Sequence, residues 1–437
     1  MSARPAPQQA HWSARLLQWT VPIAPHERTA VALAFACNFA LLGGYYVLRP
    51  IRDTVATVVG VDQLQTLFTA TFLGSLLASP VYAWLASHLR LSRLLPGVFW
   101  FWLANVLLFQ ALFQFAPASR WVAAAYYVWF SVANLFMISV FWSLMVDLFT
   151  AAQATRLFAL IAAGGSIGAI VGPLLTRMLV GRLGLSGLLL VAAGGFAIVI
   201  ALVYRLIGEK RRLRESHQEV QPSSLEHGLS GNPFEGFSRL FSSRYVLAQA
   251  AFILLMSWVN TVAYFLQTDL IAHAFQAVER RTQAIADIDL VVNVASAVIL
   301  IFGLGRVVRR FGVTAGLVLN PVIMLAAFAL IAFAPTVLFI QSLQVVRRVA
   351  QYAIARPSRE ICFTVVEQNS RYKAKNVIDT VVYRLGDVSS AWMQAGLRAV
   401  GFGMGGAVML GLAASGLWAA LARSAGRQYQ RIRQEQQ

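Results

Sequence analysis

Apolar residues run through this chain in long blocks separated by short polar connections, from residue 29 to residue 422. A helix needs about twenty mostly apolar residues to cross a hydrocarbon layer. Twelve blocks meet that length: 29–57, 64–87, 94–116, 121–149, 157–179, 185–207, 244–270, 285–305, 313–334, 336–358, 376–399 and 401–422. Runs such as LVAAGGFAIVIALVY show no polar face at helical or strand period, unlike the elements of a soluble core. The pattern predicts an all-α polytopic membrane protein of about twelve transmembrane helices.

The longest polar stretch, GEKRRLRESHQEVQPSSLEHGLSGNPFEG, Gly208 to Gly236, follows the sixth block. Its mixture of charge, Pro, Ser and Gly reads as a surface linker. It divides the chain into an N-terminal six-helix bundle (29–207), a linker (208–243) and a C-terminal six-helix bundle (244–422), flanked by a segment 1–28 and a basic tail 423–437. Trp12, Leu16, Leu17 and Trp19 beside Arg15 make the first segment either an interfacial turn or a frayed end, and its sequence lacks the charged, apolar and small-residue pattern expected of a cleavable signal. LRPIRDTVA in the first block is echoed weakly by LQTDLIA in the seventh, and TRLFALIAAGGSIG by AKNVIDTVVYRLGD. Two six-helix halves in parallel repeat are the layout of the major facilitator fold, which places its site between them at mid-membrane.

Composition sharpens this reading: 58% of residues are hydrophobic and 12% charged, with a formal net charge of +18. The basic residues do not form one patch, as a nucleic-acid surface would require; they punctuate alternate connections. Arg90 and Arg93, Lys210 to Arg214, Arg306 to Arg310, Arg371 to Lys375 and the C-terminal arginines fall on one side. That side is expected to be cytoplasmic, with both termini on it, in a bacterial inner membrane. Cys37 and Cys362 are far apart and offer neither a metal spacing nor a disulfide framework, and no cofactor, metal or catalytic constellation is expected.

Ionisable side chains inside a span cost several kcal/mol unless they face protein or water, so each is a functional candidate. In LGGYYVLRPIRDTVATVV, Leu42 to Val59, the cluster Arg49, Arg52 and Asp53 interrupts an apolar run that resumes after it. Either the arginines snorkel to the interface or the helix faces a cavity; the continuing run favours the cavity. In the tenth block Gln341, Gln344, Arg348, Gln351 or Tyr352, and Arg359 recur three or four residues apart, with Arg347 at the stripe's edge. In the eleventh, Tyr383, Asp387, Ser390, Gln394 and Arg398 do the same, with Arg384 alongside. These stripes, the outer part of the first block and the tyrosines Tyr45, Tyr46 and Tyr352 are expected to line one cavity. Asn134 and Asn260 are either ligands or interhelical hydrogen-bond donors, and GGSIGAIVG, Gly164 to Gly172, is a close-packing face.

The segment YAIARPSREICFTVVEQNSRYKAKNVIDTVVYRLG, Tyr352 to Gly386, resembles the ATP/ADP translocase family of nucleotide exchangers. That family shows a Pro-Ser/Thr-Lys/Arg-Glu turn, a Lys-rich loop and an I-D-x-V-x-x-R-x-G helix start. LRPIRD is similar to its L-R-x-x-K-D, and FWSLMVDLFTAAQATRLFALIAAGG to its fourth-to-fifth span connection. The resemblance implies a divergent bacterial member. It puts the family's substrate-contacting lysine of the first span at Arg52. Its two acidic positions fall near Asn134 and Ala263, and a further lysine falls on Asp387, so one cation is kept, two acids are lost and one cation is reversed in sign.

The expected function is a secondary transporter of an anionic solute, a nucleotide such as ATP or ADP or another phosphorylated compound. Arg49, Arg52, Arg347, Arg348 and Arg398 would supply positive charge, and Tyr46, Tyr352, Tyr383, Asn134, Gln344 and Gln394 further contacts. Asp53, Asp387 and Arg384 would serve as ion-pair or coupling groups. The alternatives are a proton-coupled carrier of another or amphipathic solute, and a non-transporting scaffold. Membrane lipids and the solute are the expected partners, nucleic acid is not, and the carrier is expected to act as a monomer.

Overall fold

The computed structural model describes residues 23–88, 91–117, 119–216, 243–302, 304–333, 336–365, 374–375 and 377–435. The expected N-terminal interfacial turn, most of the linker and the Lys-rich loop lie outside the described residues. Helices run as α1 (Arg28–Val59), α2 (Leu64–His88), α3 (Leu91–Phe115) and α4 (Arg120–Leu148). A continuous segment Ala151–Ser216 is broken at Gly184 (φ 63°) into α5 and α6. In the second half α7 (Arg244–Ala274), α8 (Val278–Phe302) and α9 (Leu304–Phe333) are followed by the composite helices α10 and α11, then α12 (Gly403–Glu435). The polar ends of α6 and α12 stay helical to Ser216 and Glu435, beyond the spans read from the sequence.

Among the described residues nine helical segments are long and apolar enough to cross a membrane, and one of them, Gln153–Lys210, is long enough for two. The two helices that fall short are α10 and α11, whose apolarity is broken by their arginines and amides. Both contain a π-turn. In α10, Val337–Ala350 passes through the π segment Gln351–Ala355 into Arg356–Cys362. In α11, the π segment Ile378–Val382 opens into Tyr383–Ala399. Each half buries its own core: Leu48, Phe99, Phe130, Phe141 and Phe196 in the first, Phe252, Leu317, Phe328 and Trp418 in the second.

Close helix approach in the first half comes from glycine. A Cβ on Gly165 would lie 2.6 Å from Asn38 Nδ2 and one on Gly172 2.6 Å from Gly43 O, while at Gly164 and Gly168 it would run into the Phe35 and Phe39 carbonyls. The four glycines form the face of α5 that lies on α1, as GGSIGAIVG implies. Gly168→Ala should therefore destabilise the fold by about 1–3 kcal/mol, because backbone cannot move aside as a side chain can. Gly194, with nothing within 4 Å of the position its Cβ would take, is the control: Gly194→Ala should leave the unfolding temperature of detergent-purified protein unchanged or raise it. Equal behaviour of the two variants would show that the α1–α5 contact is not set by glycine.

The side of the bundle at which α1 begins is termed near, and the opposite side far. The bonds that join the halves run from mid-bundle to the far side. Thr54 Oγ1 donates to Thr282 Oγ1 at 2.9 Å, Arg281 Nη1 to Thr57 Oγ1 at 3.1 Å, and Trp392 Nε1 to Thr69 Oγ1 at 3.0 Å. Asn293 donates to the Ala169 carbonyl at 2.6 Å, and Arg398 pairs with Asp62 at 3.2 Å. Near-side bonds stay within a half, as in Arg156 with Glu27, Lys210 with Asp147, and Arg359 with Asp379. The halves are latched on the far side.

Candidate functional site

A cavity of about 960 Å³ lies between the halves, walled from Arg52, Phe68 and Tyr264 at its far end to Trp142, Arg359 and Asp379 at its near end. α1 delivers its charges through a turn that contains Pro50. Proline has no N–H to donate to the Tyr46 carbonyl one turn earlier; beside that break, Tyr126 OH donates to Leu48 O at 3.0 Å and Thr54 Oγ1 to Pro50 O at 2.8 Å. Arg52 then reaches its neighbour Asp53 through Nε (2.8 Å) and Nη2 (2.5 Å), with its guanidinium over the Tyr127 ring. Tyr264 OH donates to the same Asp53 oxygen at 3.2 Å from the other half.

Arg49 crosses to the second half. Its guanidinium lies over the Tyr46 ring, and its Nε sits 3.7 Å from Asp289 Oδ2 on α8. Asp289 Oδ1 accepts from Arg348 Nη1 at 2.5 Å. One buried carboxylate thus serves two arginines on different halves. On α11, Gly386 lets the backbone approach α7, where a Cβ would meet Ser257 Cβ at 2.8 Å. That approach brings Asp387 to the hydroxyls of Ser257 (2.5 Å) and Thr261 (3.0 Å), with Arg384 Nη1 3.7 Å away.

Arg347 differs from the others. Its nitrogens donate to Gln344 Oε1 (2.6 and 3.1 Å), Asn260 Oδ1 (2.5 Å) and Gln351 Oε1 (3.3 Å), and among the described residues it meets no carboxylate. Toward the near end, Arg359 bonds Asp379 and Glu360, and Lys375 bonds Glu360. Partial burial pushes the Glu360 carboxyl up, but the bonds from Lys375 and Arg359 outweigh it and hold the group below the usual carboxylate range.

Of the residues singled out from the sequence, Tyr46, Arg49, Arg52, Asn134 and Arg347 line the cavity. So do Arg348, Tyr352, Tyr383, Arg384 and Asp387. Asp53 lies behind the wall, 1% exposed, as the partner of Arg52. Five others of the expected lining lie elsewhere, among them Gln341, and Ser390, whose hydroxyl donates to the Trp258 carbonyl at 3.2 Å. Gln344 is buried, donating to the Ala263 carbonyl at 2.8 Å while accepting from Arg347. Gln394 is buried nearer the far side, with its amide 3.4 Å from the Ser390 carbonyl. Arg398 has left the cavity to pair with Asp62 and cover the Phe265 ring. Sequence reading missed Asp289, although an acid in the run DLVVNVASAVIL carries the same signal that singled out Asp53.

A helical bundle of this topology, with a charged cavity between two halves latched on one side, is that of a polytopic membrane transporter. The chain belongs to the Major Facilitator Superfamily, whose family model matches residues 31–349. Its relatives include ADP,ATP carrier protein 1 of Chlamydia muridarum (strain MoPn / Nigg), 22% identical over 456 residues, covering 88% of this chain and 85% of the relative. The protein of the same name from Chlamydia trachomatis serovar D is also 22% identical, over 453 residues. Among solved structures, the nucleoside transporter NupG superposes with a TM-score of 0.62 at 14% identity, covering 94% of this chain and 99% of NupG. A bacterial homologue of the iron transporter ferroportin, in an inward-facing state, gives 0.64 at 13% identity, covering 91% and 98%. At these identities the structures share the fold, and the resemblance to ADP,ATP carriers extends over most of the chain.

Proposed function

We propose that this protein is a secondary transporter that exchanges anionic, nucleotide-like or phosphorylated solutes across a bacterial inner membrane by alternating access. The observation that carries this reading is Arg347: a guanidinium held in the cavity wall by neutral amides, beside Arg49, Arg52, Arg348 and Arg384. A buried charge without a counter-ion is unfavourable by several kcal/mol, and an anionic solute would supply what the protein withholds. The tyrosines beside it offer faces for a base or another ring. The curated relatives' name is consistent with such a solute. With the basic near side in the cytoplasm, the far-side latch makes this an inward-facing arrangement.

Purified protein in liposomes loaded with ADP should take up labelled nucleotide, and empty liposomes should not. Uptake into empty liposomes under an imposed pH gradient, with no need for internal ADP, would instead support a proton-coupled carrier. One feature favours that second reading: Asp387 is a buried carboxylate whose nearest cation, Arg384, stands 3.7 Å off. Absence of uptake in both settings, for nucleotides and phosphorylated sugars alike, would overturn the anionic solute.

A further inference from the structure

We infer that the anion preference of the cavity is set by an uncharged side chain behind its wall: Gln344 fixes Arg347 with an amide at the place where a carboxylate would cancel its charge. The inference rests on the anionic-solute reading and names the residue that decides it. Five arginines of the wall already have internal carboxylates. Arg49 and Arg348 share Asp289, Arg52 has Asp53, Arg359 has Asp379, and Arg384 has Asp387. Arg347 is given the same forked geometry without the charge, since Nε and Nη2 both point at Gln344 Oε1, at 3.1 and 2.6 Å.

The orientation of that amide is fixed from behind. Gln344 is 0% exposed, and its Nε2 donates to the Ala263 carbonyl at 2.8 Å. Turned over, the amide would set a nitrogen donor against guanidinium donors and an oxygen against a carbonyl oxygen. Asn260 and Gln351 complete the cradle with two more neutral oxygens. The guanidinium is therefore positioned without being neutralised. An arginine held this way keeps its charge for a bound group and loses no solute-independent partner when that group leaves.

Gln344→Glu tests the inference, because glutamate matches glutamine in length and shape and differs in charge. Binding is read as the rise in unfolding temperature of detergent-purified protein with ADP and, separately, inorganic pyrophosphate. Gln344→Met is the control, since it loses the same bond to Ala263 O and adds no charge. Asn260→Asp is the second charged variant, placing a carboxylate on Arg347 from α7 and leaving Gln344 in place. Both charged variants should weaken each probe by at least about tenfold, and Gln344→Met should weaken them less. Charged variants that bind within about twofold of the parent, or a Met variant that loses as much as Gln344→Glu, would overturn the inference and leave the anionic-solute reading standing. A parent protein that binds neither probe would overturn both.

Discussion

Asp289→Ala should leave little folded protein in the membrane. Asp289 is fully buried and holds Arg348 at 2.5 Å and Arg49 at 3.7 Å, so its removal strands two arginines that are only 4% and 9% exposed. Removing one partner of a buried ion pair costs about 3–5 kcal/mol, a large share of the roughly 5–15 kcal/mol that keeps a domain folded. Here the loss falls on two cations at once. Asp289→Asn keeps shape and one acceptor and should fall between the two. Pairing Asp289→Ala with Arg348→Met should recover part of the folded yield, because one of the stranded charges is then gone. The check is the amount of monodisperse detergent-solubilised protein and its unfolding temperature. An Asp289→Ala protein that unfolds within about 2 °C of the parent would show that water reaches these arginines and that the pairing is incidental.

Arg52→Ala should also reduce the folded amount, contrary to what the sequence alone predicts. Arg52 matches the cationic position of the ATP/ADP translocase family, and on that ground it serves the solute only, so that its removal abolishes uptake and spares the fold. The structure gives it a second role, because its two bonds to Asp53, at 2.8 and 2.5 Å, neutralise a carboxylate that is 1% exposed. The single variant leaves that carboxylate with Tyr264 OH at 3.2 Å as its remaining donor, at a cost of about 3–5 kcal/mol. The double variant Arg52→Ala, Asp53→Asn removes both charges and should fold again. If Arg52 also contacts the solute, the refolded double variant should show at least about tenfold weaker uptake in loaded liposomes. Normal uptake by the double variant would confine Arg52 to its structural pair.

The helices and their near-continuous apolarity were legible in the sequence because lipid imposes a length and a composition on each span. The role of GGSIGAIVG was legible for a related reason, since only small residues let helix backbones touch. The site was legible where a charge stood alone in an apolar run, as at Arg49 and Arg52. Periodicity misled on α11. Of Tyr383, Asp387, Ser390, Gln394 and Arg398, the first and last stand fifteen positions apart, and at 3.6 residues per turn that stripe drifts about 60° around the helix. Its near half faces the cavity, while Gln394 packs nearer the far side and Arg398 meets Asp62. Asp289 is harder to read because it stands only four residues inside the eighth apolar block, where an acid passes for the block's polar edge; α8 begins at Val278, which puts it well inside the helix.

The π-turns of α10 and α11 bear on descent as well as on shape. A π-turn closes its hydrogen bonds over one more residue than an α-turn, so a helix that carries one is a residue longer than an α-helix joining the same end points. The superfamily match ends at residue 349, just before the π-turn Gln351–Ala355 begins. Against any homologue whose helix lacks that turn, equivalences counted from Arg347 and Arg348 to Arg356 and Arg359 are displaced by one. For the same reason, losing a single residue between Gln351 and Ala355 would let the π-turn close into ordinary α-helix with Arg356 and Arg359 still facing as they do relative to Arg347 and Arg348, whereas the same loss within regular α-helix would swing everything beyond it by about 100°. At this point in the chain a one-codon deletion is absorbed that the turns on either side would not tolerate.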